Sequence, residues 1–308
     1  MQKSSRASIW AALGAVYVIW GSTYLAISFV VKTMPPFASA AVRFIIAGGV
    51  LYAFRRLRGD PAPTRVEWRS AAIVGLLLLT GGNGAVVWAE QRVPSGLVAL
   101  LIGTTPLWIV LLDYLRPWRL WGVETGFARP RPMALLGVVI GFVGVAFLVL
   151  GGNPVEGKID PVGAAVTILA TISWAIGSVY GRSAKLPASP LLGTSMEMLA
   201  GGAGLFLLAT VAGDWARLNV AAITRESWLA LGYLIVVGSW GGFASYAWLL
   251  RNAPLPLVAT YAYVNPVVAI LLGALIANES ITPRIALSAA IIVGAVVLTV
   301  TARAPKEN

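Results

Sequence analysis

The chain has 308 residues, of which 58% are hydrophobic and 11% charged, with 23 Lys and Arg against 12 Asp and Glu. Soluble domains carry about 25% charged residues, so this composition excludes a disordered chain and argues against a soluble globular one. There is no Cys and no His. That removes disulfides, zinc–thiolate sites, thiol nucleophiles and the commonest general base. An integral membrane protein remains.

A helix needs about 20 mostly apolar residues to cross the ~30 Å hydrocarbon layer. Ten runs qualify, in the order 9–31, 37–54, 68–88, 94–115, 132–150, 161–180, 190–211, 228–250, 254–277 and 283–300. Six of them open with proline, at 94, 132, 161, 190, 254 and 283. Proline suits a first helical turn, where its missing N–H would be unpaired anyway. The runs lack the ten-residue alternation of a transmembrane barrel. The predicted fold is therefore all-α, with ten spans and no soluble domain between them. The basic N-terminus (Lys3, Arg6) enters its apolar run without a small-residue cleavage site, and reads as the first span.

Alternating the spans from a cytoplasmic N-terminus leaves sixteen Lys and Arg in cytoplasmic segments and six outside, with Arg43 inside a span. Basic residues favour the cytoplasmic side, so both termini are expected there. The same asymmetry accounts for the net charge of +11. Nucleic acid is not an expected partner, because the bases sit in short loops at one membrane face.

Segments 65–112 and 225–272, offset by 160, share twelve of 48 positions without a gap. The matches include Arg65/Arg225, Trp68/Trp228, Gly81-Gly82/Gly241-Gly242, Trp88/Trp248, Pro94/Pro254 and Pro106/Pro266. At an offset of 154, Trp20 meets Trp174 and Gly48 meets Gly202. The chain thus divides into halves, 1–155 and 156–308, of five spans each. An odd number inverts the second half, and inverted repeats are common in secondary transporters because they support alternating access.

Trp20-Gly21-Ser22-Thr23-Tyr24 resembles the Trp-Gly signature of the EamA family in the drug/metabolite transporter superfamily. Ala40-Ala41-Val42-Arg43-Phe44 resembles that family's Arg-Phe element, and Ser173-Trp174-Ala175 the signature opening its second half. Asn265-Pro266, and Glu279 before Pro283, resemble its ninth-span proline and its acidic turn. One departure is the long turn 116–131, with Trp118, Trp121 and Phe127 and with Glu124 as the acidic counterpart. Within the family the chain is most similar to YddG-type exporters of aromatic and other apolar amino acids. The resemblance implies amino-acid efflux through a midplane pocket between the halves.

The candidate site residues follow from interruptions and polar groups inside the spans. Pro106 and Pro266 sit near mid-span, and each frees the carbonyl four residues earlier, of Ile102 and Ala262. Thr104, Thr105 and Asn265 lie beside them as candidate substrate partners. A kink satisfied by a neighbouring helix is the competing reading. Gly81, Gly82 and Asn83 match Gly241 and Gly242, as a flexible cavity wall or as close packing. Trp20, Tyr24, Trp174, Trp240, Tyr246 and Tyr261 lie near mid-depth, away from the usual interfacial belt, and offer stacking faces. Tyr261 and Tyr263 point to different faces, so one of them is expected at a cavity.

Arg43 and Glu197 are embedded charges at equivalent repeat positions and are costly in lipid. They would pair with each other, attract a substrate carboxylate, or carry a proton. Glu90 and Asp113 fall at span ends and are expected to be solvated. Gly137-x-x-x-Gly141 and Ala290-x-x-x-Gly294 suit internal packing or a homodimer. No cofactor is expected, and no nucleophile–base pair for an enzyme. The expected function is export by uniport, the alternative being a proton-coupled exporter of drugs or other amphiphiles.

Overall fold

A computed structural model of the chain describes residues 6–115, 131–150, 159–253, 255–258 and 260–303. The turn carrying Trp118, Trp121, Glu124 and Phe127 lies outside them, as does Pro254. The helices run in order α1 (Arg6–Val30), α2 (Pro36–Leu57), α3 (Arg65–Gly75), α4 (Gly84–Ala89), α5 (Ser95–Ile102), α6 (Thr105–Leu115), α7 (Pro132–Leu150) and α8 (Pro161–Ser183). There follow α9 (Pro190–Val211), α10 (Asp214–Arg217), α11 (Arg225–Tyr233), α12 (Gly242–Asn252), α13 (Leu255–Val258), α14 (Tyr261–Ala277) and α15 (Pro283–Arg303). Two π-helical stretches, Leu76–Asn83 and Leu234–Gly241, join α3 to α4 and α11 to α12.

Nine of the described helical runs are long and apolar enough to cross a membrane. The tenth expected run, 254–277, is divided. α13 ends at Val258, and Tyr261–Ala277 is a shorter apolar helix. Thr260 precedes α14, its hydroxyl and its N–H both donating to the Leu257 carbonyl, at 2.6 and 3.3 Å. Pro132, Pro161, Pro190 and Pro283 each open a helix as expected.

The outer shell of the bundle is apolar. Val143, Leu207, Val211 and Leu275 are among its most exposed side chains. Lipid tails solvate such a surface as readily as a protein core does.

Small residues set the helix spacing. α2 packs along α9, and α7 along α15. A Cβ on Gly48 would lie 2.8 Å from Met198 Cβ and 2.9 Å from Leu199 N. One on Gly202 would lie 2.9 Å from Ile45 Cγ1 and 3.0 Å from Ile45 N. Only glycine allows the two backbones this close. Gly137 similarly faces Ala295 and Thr299, so the 137–141 element packs inside the molecule, whereas Gly294 is exposed and has no neighbour within 4 Å.

Carboxylates cap helix N-termini at one end of the bundle. Asp214 accepts from Phe37 N (2.8 Å) and Ala38 N (3.1 Å) at the start of α2. Glu279 accepts from Ser95 N (2.8 Å) and Gly96 N (3.0 Å) at the start of α5. Asp160 accepts from Gly163 N (2.7 Å) at the start of α8. Each meets unpaired N–H groups and the positive end of a helix dipole. At the opposite end, Thr64 and Glu67 form a reciprocal capping box on α3.

Between α2 and α3, the Arg55 guanidinium grips Asp60 through two hydrogen bonds of 2.7 and 2.8 Å and holds its carboxyl below the ordinary 3.8. A depressed folded pKa stabilises above the unfolded value, and the gain is lost as pH falls through the folded one. Asp60→Asn should therefore lower the unfolding temperature at pH 7 and leave it nearly unchanged once Asp60 itself is protonated. Unfolding curves of both proteins across acid pH check this.

Candidate substrate site

The Trp-Gly element of α1 is a packing hub. A Cβ on Gly21 would lie 2.7 Å from Val268 Cγ1 of α14. The Ser22 hydroxyl shares a hydrogen bond of 2.6 Å with Tyr233 OH of α11. Thr23 donates to the Trp20 carbonyl at 2.7 Å and lies beside Gly238. The Trp20 indole lies directly over Gly242, too close for any side chain there. The second half repeats this contact: a Cβ on Gly82 would lie 2.8 Å from Trp174 Cε3. Gly82 lies within the first π-helical stretch and Gly242 directly follows the second; such i→i+5 turns often mark functional sites.

Trp20, Tyr246 and Tyr261 come together. The Trp20 ring centroid is 5.1 Å from each tyrosine ring, and the tyrosine rings are 5.7 Å apart. Phe243 completes the group at 5.5 Å from Trp20. The rings rest on one another in edge-on and tilted contacts, a favourable aromatic geometry. Tyr17, which sequence reasoning passed over, borders the group and shares a hydrogen bond with Thr260. Tyr263 packs against the cluster of Leu107, Val110 and Val296. Trp240 is not in the aromatic group; its Nε1 donates to the Ala47 carbonyl of α2 at 3.0 Å. Tyr24 packs against the main core.

The two proline sites differ. Helix α5 ends at Ile102, and Pro106 is the second residue of α6, so the chain breaks just before it. The Ile102 carbonyl that Pro106 frees is taken by the Thr105 hydroxyl at 2.6 Å, and the Leu101 carbonyl by Thr104 at 2.6 Å. Pro266, by contrast, lies inside α14 without ending it. Its ring is received by Gly103, where a Cβ would lie 2.6 Å away. Asn83 and Asn265 each have a buried side-chain oxygen without a hydrogen-bond partner among the described residues.

Arg43 and Glu197 do not pair. Although α2 and α9 lie face to face, Arg43 turns the other way, and its Nε donates to Ser239 Oγ at 3.3 Å. Ser239 in turn donates to the Leu234 carbonyl, five residues back, at 2.9 Å. The π-helical turn thus sets the hydroxyl that holds the guanidinium. Glu197 sits where its own backbone carbonyl meets Gly75 of α3.

Glu90 corrects the expectation of a solvated span end. It is 8% exposed, and neither carboxylate oxygen has a hydrogen-bond partner among the described residues. Position along one helix does not reveal the elements that cover it. Glu90 lines an open cavity of about 530 Å³ with Ser28, Lys32, Arg92, Ser95 and Glu279. Arg43 lines a separate, water-sized cavity with Ile27, Ser39 and Val87. The side chain of Asp113 is not among those described.

A bundle of apolar helices with interrupted spans and buried ionisable side chains beside cavities is the architecture of an integral membrane protein, and the family to which it belongs is one of transporters. The EamA-like transporter family matches residues 6–150 and again 161–301. The chain belongs to that family and is a secondary transporter of small metabolites. It is similar to the uncharacterized inner membrane transporter YedA of Escherichia coli K12, at 41% identity over 94% of this chain and 90% of YedA. A chloroplastic WAT1-related protein of Arabidopsis thaliana is 26% identical over 94% of this chain and 68% of its own length. A solved crystal structure shares the fold, with a TM-score of 0.63 and 22% identity over 96% of each chain.

Proposed function

We propose that this protein exports aromatic and other apolar amino acids across a bacterial inner membrane by alternating access. The moving parts are two inverted five-helix halves, 1–155 and 156–308, making ten spans. The observation that carries this reading is the repeated contact of Trp20 with Gly242 and Trp174 with Gly82. Each half lends its tryptophan to its own end of the same exchange: α1 to the second half's π-bearing rod, α8 to the first half's. Two equivalent contacts of this kind suit halves that trade conformations. The family match to two successive segments supports the same division.

Trp20, Tyr246 and Tyr261 offer the apolar surface for a substrate side chain, and Asn83 and Asn265 offer unused amide oxygens for its polar end. Trp174, Trp240, Tyr24, Thr104 and Thr105 support that site from around it. The inner-membrane location follows the description of YedA, and cytoplasmic termini follow from the basic residues of the loops. Transport is a uniport of small molecules through a monomer or homodimer in the bilayer.

Counterflow in proteoliposomes tests the reading. Vesicles loaded with excess unlabelled phenylalanine, tryptophan or methionine, at equal pH on both sides, should transiently accumulate labelled amino acid. Vesicles loaded with a sugar phosphate should not. A flat trace for every amino acid, with folded protein, removes amino acids as substrates. Glu197 is the observation behind a proton-coupled alternative. Glu197→Gln should leave counterflow intact under uniport, and losing all exchange would refute uniport.

A further inference from the structure

We propose that Glu90 and Arg43 are a clamp for a zwitterion, Glu90 taking the ammonium group of an amino acid and Arg43 its carboxylate. This rests on the amino-acid reading above and adds the two groups that would recognise the backbone of the substrate.

Both side chains are more than nine-tenths buried. Both side chains are ionisable, and among the described residues no ion pair joins them. Neither Glu90 carboxylate oxygen has a hydrogen-bond donor among the described residues. Arg43 spends only its Nε on Ser239, and a Cβ on Gly238 would lie 3.4 Å from its Nη2. Burying a carboxyl group without a partner works against stability. A protein that needed only stability would close the pair or replace it with apolar side chains. An open, opposed pair is what a ligand with two opposite charges completes.

The two cavities adjoin along shared elements. Glu90 is among the residues lining the open cavity, with its carboxylate oxygens covered, and Val87, one turn earlier, lines the small cavity with Arg43. α1 likewise borders both, with Ser28 and Val31 on the open cavity and Ile27 and Val30 on the small one. The other charged groups at this site are Glu279, held by its cap on α5, and the exposed Lys32 and Arg92 at the rim. Carboxylate-guanidinium contacts are strong, geometrically specific bonds, so loss of either group should be read by the matching end of the ligand.

Calorimetric binding to the purified full-length protein distinguishes the two ends. The probes are phenylalanine, 3-phenylpropionate, which lacks the ammonium, and 2-phenylethylamine, which lacks the carboxylate. The wild type should favour phenylalanine over each analogue by tenfold or more. In Glu90→Gln the preference over 3-phenylpropionate should collapse toward one while the preference over 2-phenylethylamine persists. Arg43→Gln should give the mirror result. Because each readout is a ratio within one protein, a general loss of stability does not imitate it. Glu90→Asp, keeping the charge, should retain the ammonium preference.

A wild type that binds and exchanges phenylalanine, with ratios unchanged in both variants, overturns the clamp and leaves the amino-acid reading intact. A Glu90→Gln variant that loses only uptake driven by a pH gradient, with ratios kept, assigns Glu90 to a proton instead and overturns the clamp. A wild type inert to every amino acid overturns both proposals together.

Discussion

Replacing Asp214 by alanine is expected to destabilise the protein by about 2–5 kcal/mol. The carboxylate is fully buried and accepts from two backbone N–H groups at the start of α2, while Arg217 holds its other oxygen. Stranding a buried donor costs about 1–3 kcal/mol, and bonds to a charged acceptor lie at the upper end of hydrogen-bond strengths. Alanine strands the N–H groups of both Phe37 and Ala38. Asparagine keeps one acceptor and should recover part of the loss. Thermal unfolding of the purified variants in detergent, ordered wild type above Asn above Ala, checks the prediction. An alanine variant as stable as the wild type would show that water reaches these N–H groups.

Gly48→Leu is expected to prevent assembly of the folded bundle, and Gly48→Ala to cost about 1–3 kcal/mol, the usual range for overpacking. The new Cβ would meet Leu199 N and the Ser195 carbonyl, both at 2.9 Å, so backbone must move and no rotamer change can relieve the contact. The neighbouring Gly49 is the control. Its nearest neighbour would be Leu199 Cδ2 at 4.0 Å, and Gly49→Ala should be tolerated. Comparing yield of monodisperse protein and unfolding temperature for the three variants decides the matter. Equal behaviour at positions 48 and 49 would refute the close approach of α2 and α9.

Hydropathy made most of the membrane-crossing helices legible, because lipid demands long apolar runs regardless of what they pack against. The internal comparison also singled out Trp20, Trp174, Gly82 and Gly242. It could not pair each tryptophan with a glycine of a different rod, since a repeat reports equivalence and says nothing of contact. Arg43 and Glu197 were misleading for that reason: they are equivalent, but Arg43 is held by Ser239 across the bundle. The hydroxyls of Thr104 and Thr105 repair the helix break beside them, a role that spacing alone does not show. Glu90 was misjudged because depth along a helix stands in for exposure only when no other element covers that face. The aromatic group was half legible. Tyr261 and Tyr263 pack against different clusters, whereas Tyr17 gave no signal without its neighbour Thr260.

The π-helical stretches bear on how such sequences are read. An ordinary helix advances about 100° per residue, and a π turn takes up additional residues before it comes round. Every side chain beyond Asn83 or Gly241 is therefore out of phase with those before Leu76 or Leu234. A helical wheel drawn through either whole rod at one fixed period will turn the wrong side inward over one of its ends. Faces should be assigned separately on each side of the bulge, and aligned relatives should be compared with a phase slip allowed at those eight residues.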